Sequence, residues 1–158
     1  MEARDRTEPH AMLREQLDGG EPEGEALLID GADGAPSPWP EAAAAVRWAP
    51  TEVDRRLHDP SRFAVGVVID SLDGLDDAAA DALLAALRDR LCRRVLVLVP
   101  ADTRFDRVRM LAMGYTLRGR GAGGWCLYDH DIASYNPERS WNNPSDWAHP
   151  ENFDRYRW

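Results

Sequence analysis

The sequence predicts an α/β domain built on a doubly wound, mostly parallel sheet with an antiparallel hairpin at its edge. Residues 63–69 (FAVGVVI) and 93–99 (RRVLVLV) are near-continuous β-branched runs, the composition of strands buried on both faces. Between them, residues 76–91 space Ala80, Leu83, Leu84, Leu87 and Leu91 three and four apart, which makes one apolar helix face. Asp76 and Asp77 suit that helix's amino end, and Arg88 and Arg90 its carboxyl end. Strand, helix and strand make a βαβ unit, and the apolar run ALLID at 26–30 supplies a third parallel strand.

The other elements follow in chain order. Thr7–Leu17 is predicted as a short helix with Thr7 at its cap and Pro9 in its first turn, ended by Gly19 and Gly20 within an acidic head of residues 1–24. The stretch GADGAPSP after Asp30 reads as a turn, Glu41–Ala45 as helix, and Val46–Trp48 as a brief strand. Residues 49–62, with Pro50, Pro60 and many charges, are predicted as a loop holding at most one helical turn. Asp106–Met113 is a short helix stopped by Gly114, and Tyr115–Arg118 and Trp125–Tyr128 flank Gly119–Gly124 as an antiparallel hairpin. The α/β domain thus spans 25–132. Residues 133–158 form a tail in which Tyr135, Trp141, Trp147, Phe153, Tyr156 and Trp158 alternate with Pro137, Pro144 and Pro150. The prolines preclude a long helix there, leaving single turns at 145–147 and 150–154.

At 158 residues the chain fits one domain that buries about 70% of its unfolded surface. It carries 28 acidic against 19 basic residues, a net charge of −9, and all 19 are arginine. That balance argues against a nucleic-acid binder or an anionic-membrane surface protein. Without lysine there is no Schiff base and no lysine for a nucleotide phosphate. GC-rich coding produces such a composition, and so does adaptation to high salt. The head has no apolar core of a signal peptide, and no stretch reaches a membrane span of about 20 apolar residues. A soluble, cytoplasmic protein is expected, with Cys92 and Cys126 reduced and buried as small hydrophobes.

The segment VVIDSLDGLDDAAADALLAALRDRLCRRVLVLVP resembles the fourth strand, following helix and fifth strand of class I S-adenosylmethionine-dependent methyltransferases. MLAMGYTLRGRGAGGWCLYDHD is similar to their sixth strand and closing hairpin. The resemblance covers about residues 25–132, and the whole chain, with its tail ending in Tyr-Arg-Trp, also resembles a group of short bacterial proteins of unknown function. The methyltransferase resemblance implies a cofactor crevice lined by Asp30, Gly31, Gly34, Asp70 and Ser71. The departures lie in the first half. Asp33, Pro36 and Pro38 interrupt the glycine loop, only Glu52 stands near the end of the second strand, and no third strand is visible. If Trp39 or Trp48 filled that loop, the cofactor site would be closed.

Each candidate has a bland counterpart. Asp70 and Ser71 sit where open α/β sheets bind ligands, yet the same residues end a strand and open a turn. Asp30 and Asp70, from adjacent strand ends, could pair for acid/base work or a cation. Asp33 and Asp73 would make the same mouth acidic, favouring a cationic ligand. Asp129-His130-Asp131 follows the last strand and could bind a metal or form an oriented His-Asp pair, but adjacent side chains of an extended chain point to opposite faces, and a solvated surface turn is favoured. No catalytic residue and no metal site emerge. The expected function is a non-catalytic, methyltransferase-like binding or interaction module with at most a vestigial small-molecule crevice. No cofactor is expected, although the resemblance allows S-adenosylmethionine. The tail's Trp141, Trp147, Phe153, Tyr156 and Trp158 either wrap the domain or dock a second copy or another protein. The alternative is a minimal methyltransferase whose acceptor site is completed by the tail or a partner.

Overall fold

Successive side chains of the central strands, buried on both faces, point alternately to two core layers around one sheet. The computed structural model describes residues 7–17, 24–31, 45–58, 60–135 and 149–152. Six strands, β1 (Ala26–Asp30), β2 (Ala45–Trp48), β3 (Phe63–Ile69), β4 (Cys92–Pro100), β5 (Thr116–Arg120) and β6 (Trp125–Asp131), pair in the order β2-β1-β3-β4-β6-β5. The first four are parallel; β6 runs antiparallel to both β4 and β5. The hairpin therefore inserts its second strand against the parallel set and leaves β5 at the edge. Among the described residues no strand lies beyond β2.

One layer holds Leu27, Ile29, Val68, Val95, Val97, Val99, Cys126 and Tyr128 against α3 (Asp77–Ala86) and α4 (Arg107–Ala112), which contribute Ala80, Leu83, Leu84 and Met110. Trp48 belongs to this layer, edge-to-face with Phe63 at 5.8 Å between ring centroids. The other layer sets Leu28, Val65, Val67, Ile69, Leu96, Leu98, Trp125 and Leu127 against Leu13 of α1 (Thr7–Gln16). Free Cys92 and Cys126 are buried, and burial pushes the Cys92 thiol up to about 12.

Aspartate caps account for both helix starts: Asp76 accepts from the Ala79 amide and Asp106 from the Arg109 amide, each at 2.8 Å. Gly114, at φ +87°, ends the second helix in the left-handed region. Three expectations change. Ala45 starts β2 rather than ending a helix, because it is drawn into register with Ala26; residues 32–44 lie outside the described residues. The 49–62 segment forms a 3-10 turn, Pro50–Glu52, running directly into α2 (Val53–Arg56). The helix predicted to Leu91 keeps α geometry only to Ala86 and then widens into a π turn, Leu87–Leu91.

The largest correction concerns Asp129 and His130. They continue β6 and are buried, rather than forming a solvated turn. As alternation requires, they face opposite layers. The His130 imidazole lies 3.0 Å from the Gly114 carbonyl and 5.9 Å from the Tyr115 ring, whose hydroxyl donates to the Leu84 carbonyl at 2.8 Å. The Asp129 carboxylate, 1% exposed, receives a two-pronged pair of hydrogen bonds from Arg94, both 3.1 Å, and a third from Arg118 at 3.0 Å. Two guanidinium groups make a carboxylate tolerable at that depth. Of the tail, α5 (Ile132–Tyr135) and a 3-10 turn at Pro150–Asn152 are described, the latter where a turn was expected; 136–148 and 153–158 lie outside. No described helix is long and apolar enough to cross a membrane.

Asp129→Asn leaves the half-buried Arg94 and the exposed Arg118 facing a neutral amide. We expect it to lower the unfolding free energy by about 2–3 kcal/mol, less than a fully buried pair because both arginines reach solvent. Urea denaturation measures this, and a change within error of zero contradicts the clamp.

Candidate functional site

The strand order reverses between β1 and β3: the chain leaves β1 to form β2 on one side and returns to form β3 on the other. The crevice at the carboxyl ends of those two strands is the place where open α/β sheets take ligands. Asp30 ends β1 there, level with Ile69, and Asp70 and Ser71 follow β3 directly. Four of the five predicted residues, Asp30, Gly31, Asp70 and Ser71, thus come to neighbouring strand ends. Gly34 lies outside the described residues, as do Asp33, Pro36 and Trp39. Trp48 is packed on Phe63 in the core.

Close backbone packing dominates this corner. The Gly31 amide donates to the Ile69 carbonyl at 2.9 Å, and the Asp70 amide to Leu98 at 3.0 Å. A Cβ built on Gly31 would lie 2.1 Å from the Asp70 carbonyl oxygen, so no other residue fits. Asp70 itself stands at φ +49°, a left-handed conformation that aspartate tolerates better than most side chains. The Ser71 hydroxyl is buried and donates its one proton to the Ile69 carbonyl at 2.8 Å, shared with the Ile29 carbonyl at 3.2 Å. It bridges the ends of β1 and β3.

The acidic mouth is also partly neutralised. Asp73 accepts from the Thr103 hydroxyl at 2.7 Å and sits 3.8 Å from Arg104. Arg104 donates further to the carbonyls of Leu72, Asp73 and Leu75 and to the Asp77 carboxylate, tying the loop after β3 to the loop after β4. Arg109 spans Asp77 and Asp81 at 2.9 and 2.7 Å. Both guanidinium groups lie over the Phe105 ring, at 4.9 and 4.3 Å from its centroid. The hydrogen bond from Arg109, ahead of its charge, holds the Asp77 carboxyl below its usual range. Sequence reasoning missed these roles because the partners lie about 30 residues apart, with no local spacing to link them. No group of three or more potential metal-ligating side chains is assembled among the described residues.

This sheet order, with helices on both layers and a closing antiparallel hairpin, defines a methyltransferase-like Rossmann fold. The chain superposes on magnesium protoporphyrin IX methyltransferase from Synechocystis PCC 6803, solved with bound S-adenosylmethionine, with a TM-score of 0.56 and 12% identity over 77% of this chain and 76% of that one. The methyltransferase domain of bacterial CtHen1 superposes with a TM-score of 0.47 and 11% identity over 78% and 97%. The chain belongs to the family of unknown function DUF6231, which matches residues 7–158. No curated protein matches it in sequence.

Two measurements probe this corner. Gly31→Ala, at an open site a mildly stabilising change, should here cost about 2–3 kcal/mol through collision with the Asp70 carbonyl. A neutral result in urea unfolding would mean that the two backbones can part. The second concerns acid stability. The folded-state pKa of Asp77 lies below its unfolded value near 3.8, so its contribution is present above that pH and is lost as pH falls through the folded value. Urea midpoints of wild type and Asp77→Asn should therefore differ at neutral pH and converge in acid; a constant gap rules out the linkage.

Proposed function

We propose that this protein is a non-catalytic, methyltransferase-like module that binds a partner, keeping at most a reduced small-molecule crevice. The observation that carries this reading is the state of the β1–β3 corner. The family resemblance assigns Gly31 and Ser71 to a cofactor. Here the space beside Gly31 is taken by the Asp70 carbonyl, and the Ser71 proton is committed to two strand carbonyls. A ligand competing for either group must first undo backbone packing, so these two residues do not fit the cofactor role. Asp30 and Asp70 stand at the crevice's strand ends, and such a mouth favours a cation or sulfonium over a phosphate. Partner binding is assigned to the tail, whose Trp141, Trp147, Phe153, Tyr156 and Trp158 are of the types that anchor interfaces. Two buried thiols, Cys92 and Cys126, suit a reducing cytoplasm.

Calorimetric titration with S-adenosylmethionine and S-adenosylhomocysteine should give no binding at micromolar ligand. Micromolar binding accompanied by methyl transfer overturns the proposal in favour of a minimal methyltransferase. Sedimentation of the full chain and of a chain ending at residue 133 tests the partner role: a concentration-dependent oligomer that truncation abolishes supports tail docking to a second copy. A monomer in both cases removes the homo-oligomer.

A further inference from the structure

A cavity of about 360 Å³ opens at the amino ends of the parallel strands, the end of the sheet opposite the β1–β3 crevice. Three strand starts wall it: Glu25 stands just before β1, Arg62 and Phe63 open β3, and Cys92 and Arg93 open β4. The Ala64 amide donates to the Glu25 carbonyl at 2.8 Å, and Phe63 lies in register with Cys92, so sheet pairing fixes these walls. Ile132, just after β6, completes the lining while half of it stays exposed.

The charge here runs against that of the whole chain. Four arginines, Arg62, Arg88, Arg90 and Arg93, line the cavity against two carboxylates, Glu25 and Asp89, in a protein whose net charge is −9. Arg88 is satisfied locally, donating to Asp89 at 2.6 and 3.0 Å and to the Met113 carbonyl. The other three are not. Arg62 donates to the neighbouring Ser61 carbonyl at 3.4 Å and Arg90 to the Leu57 carbonyl, and among the described residues none of Arg62, Arg90 and Arg93 is ion-paired. Elsewhere Arg94, Arg104, Arg109 and Arg118 each close on an aspartate.

Backbone geometry brings two of these arginines to the cavity. The helix before β4 widens into the π turn Leu87–Leu91, closed by the Cys92 amide on the Leu87 carbonyl. Leu87 and Leu91 are buried, and the three residues between them line the cavity. Such turns are rare and recur at functional positions.

We propose that this cavity binds a small organic anion, a carboxylate or phosphate carried on an apolar body. Planar guanidinium forks match both headgroups. Phe63, Ala64, Cys92 and Ile132 supply apolar lining, and the volume falls within the range of about 300–1,000 Å³ typical of small-molecule sites. Arg62, Arg90 and Arg93 attract the headgroup, and Glu25 opposes it. The site is separate from the β1–β3 crevice and stands whether or not that crevice admits a ligand.

Titrating the nitrogen-15-labelled full chain with phenyl phosphate and with phenylacetate tests this. At least one probe should give saturable amide shifts centred on residues 24–25, 62–64, 88–93 and 132, with a Kd below about 1 mM. Replacing both Arg62→Gln and Arg93→Gln should weaken that binding about 10-fold without moving the urea midpoint, since neither side chain ties one element to another. Glu25→Gln should tighten it about 3-fold by removing a like charge, a gain that damage to the fold does not produce. No saturable shift with either probe up to about 10 mM overturns the site. Shifts centred on the carboxyl ends of β1 and β3 instead overturn it too. So does a double variant that binds as wild type does, or equal binding of neutral benzyl alcohol, since the arginines would then play no part.

Discussion

The approach of two backbones at the ends of β1 and β3 is the constraint on which the centre of this molecule depends. Gly31 and the Asp70 carbonyl occupy space that ordinary residues would contest, and this is possible only because one side lacks a Cβ and the other accepts a left-handed φ. Ser71 then uses its proton on carbonyls from both strands. In a sheet whose order reverses at this point, the fork between the two strands would ordinarily be its widest opening. Here the protein's own groups bridge the two strand ends, and Arg104 ties the loop after β3 to the loop after β4.

Arginine supplies most of the long-range side-chain ties described. Arg94 offers three donors at once, two to Asp129 and one to Gln16. Arg104 reaches three carbonyls and a carboxylate, and Arg109 joins two carboxylates while lying over Phe105. A planar fork with five donors does this; a single ammonium does not. The absence of lysine, at first a matter of composition, thus coincides with a structure whose polar ties use the arginine geometry.

The sheet was legible where strands are buried on both faces. The β-branched runs of β3 and β4 leave no other reading, and Gly114 and Asp106 mark the ends of α4. Legibility failed where tertiary contacts override local pattern. Asp129 and His130 read as a solvated turn, whereas Arg94 and Arg118 on the Asp129 carboxylate and the Gly114 carbonyl beside the His130 ring, contacts no local pattern reveals, make them fit for a strand. Ala45, a helix former, is taken into β2 by its pairing with Ala26. Of the candidate site, the position of Asp30, Asp70 and Ser71 at strand ends was readable. That Ser71 serves the strands themselves depends on a contact 42 residues away.

The sheet's two outer edges bear on how any partner is met. β5 carries Arg118 and Arg120 and breaks its register between Leu117 and Gly119, while β2 is four residues long and half exposed. A short strand at one edge, and charge with a bulge at the other, both discourage further strand pairing. Among the described residues, both edges of the sheet thus disfavour association by strand addition.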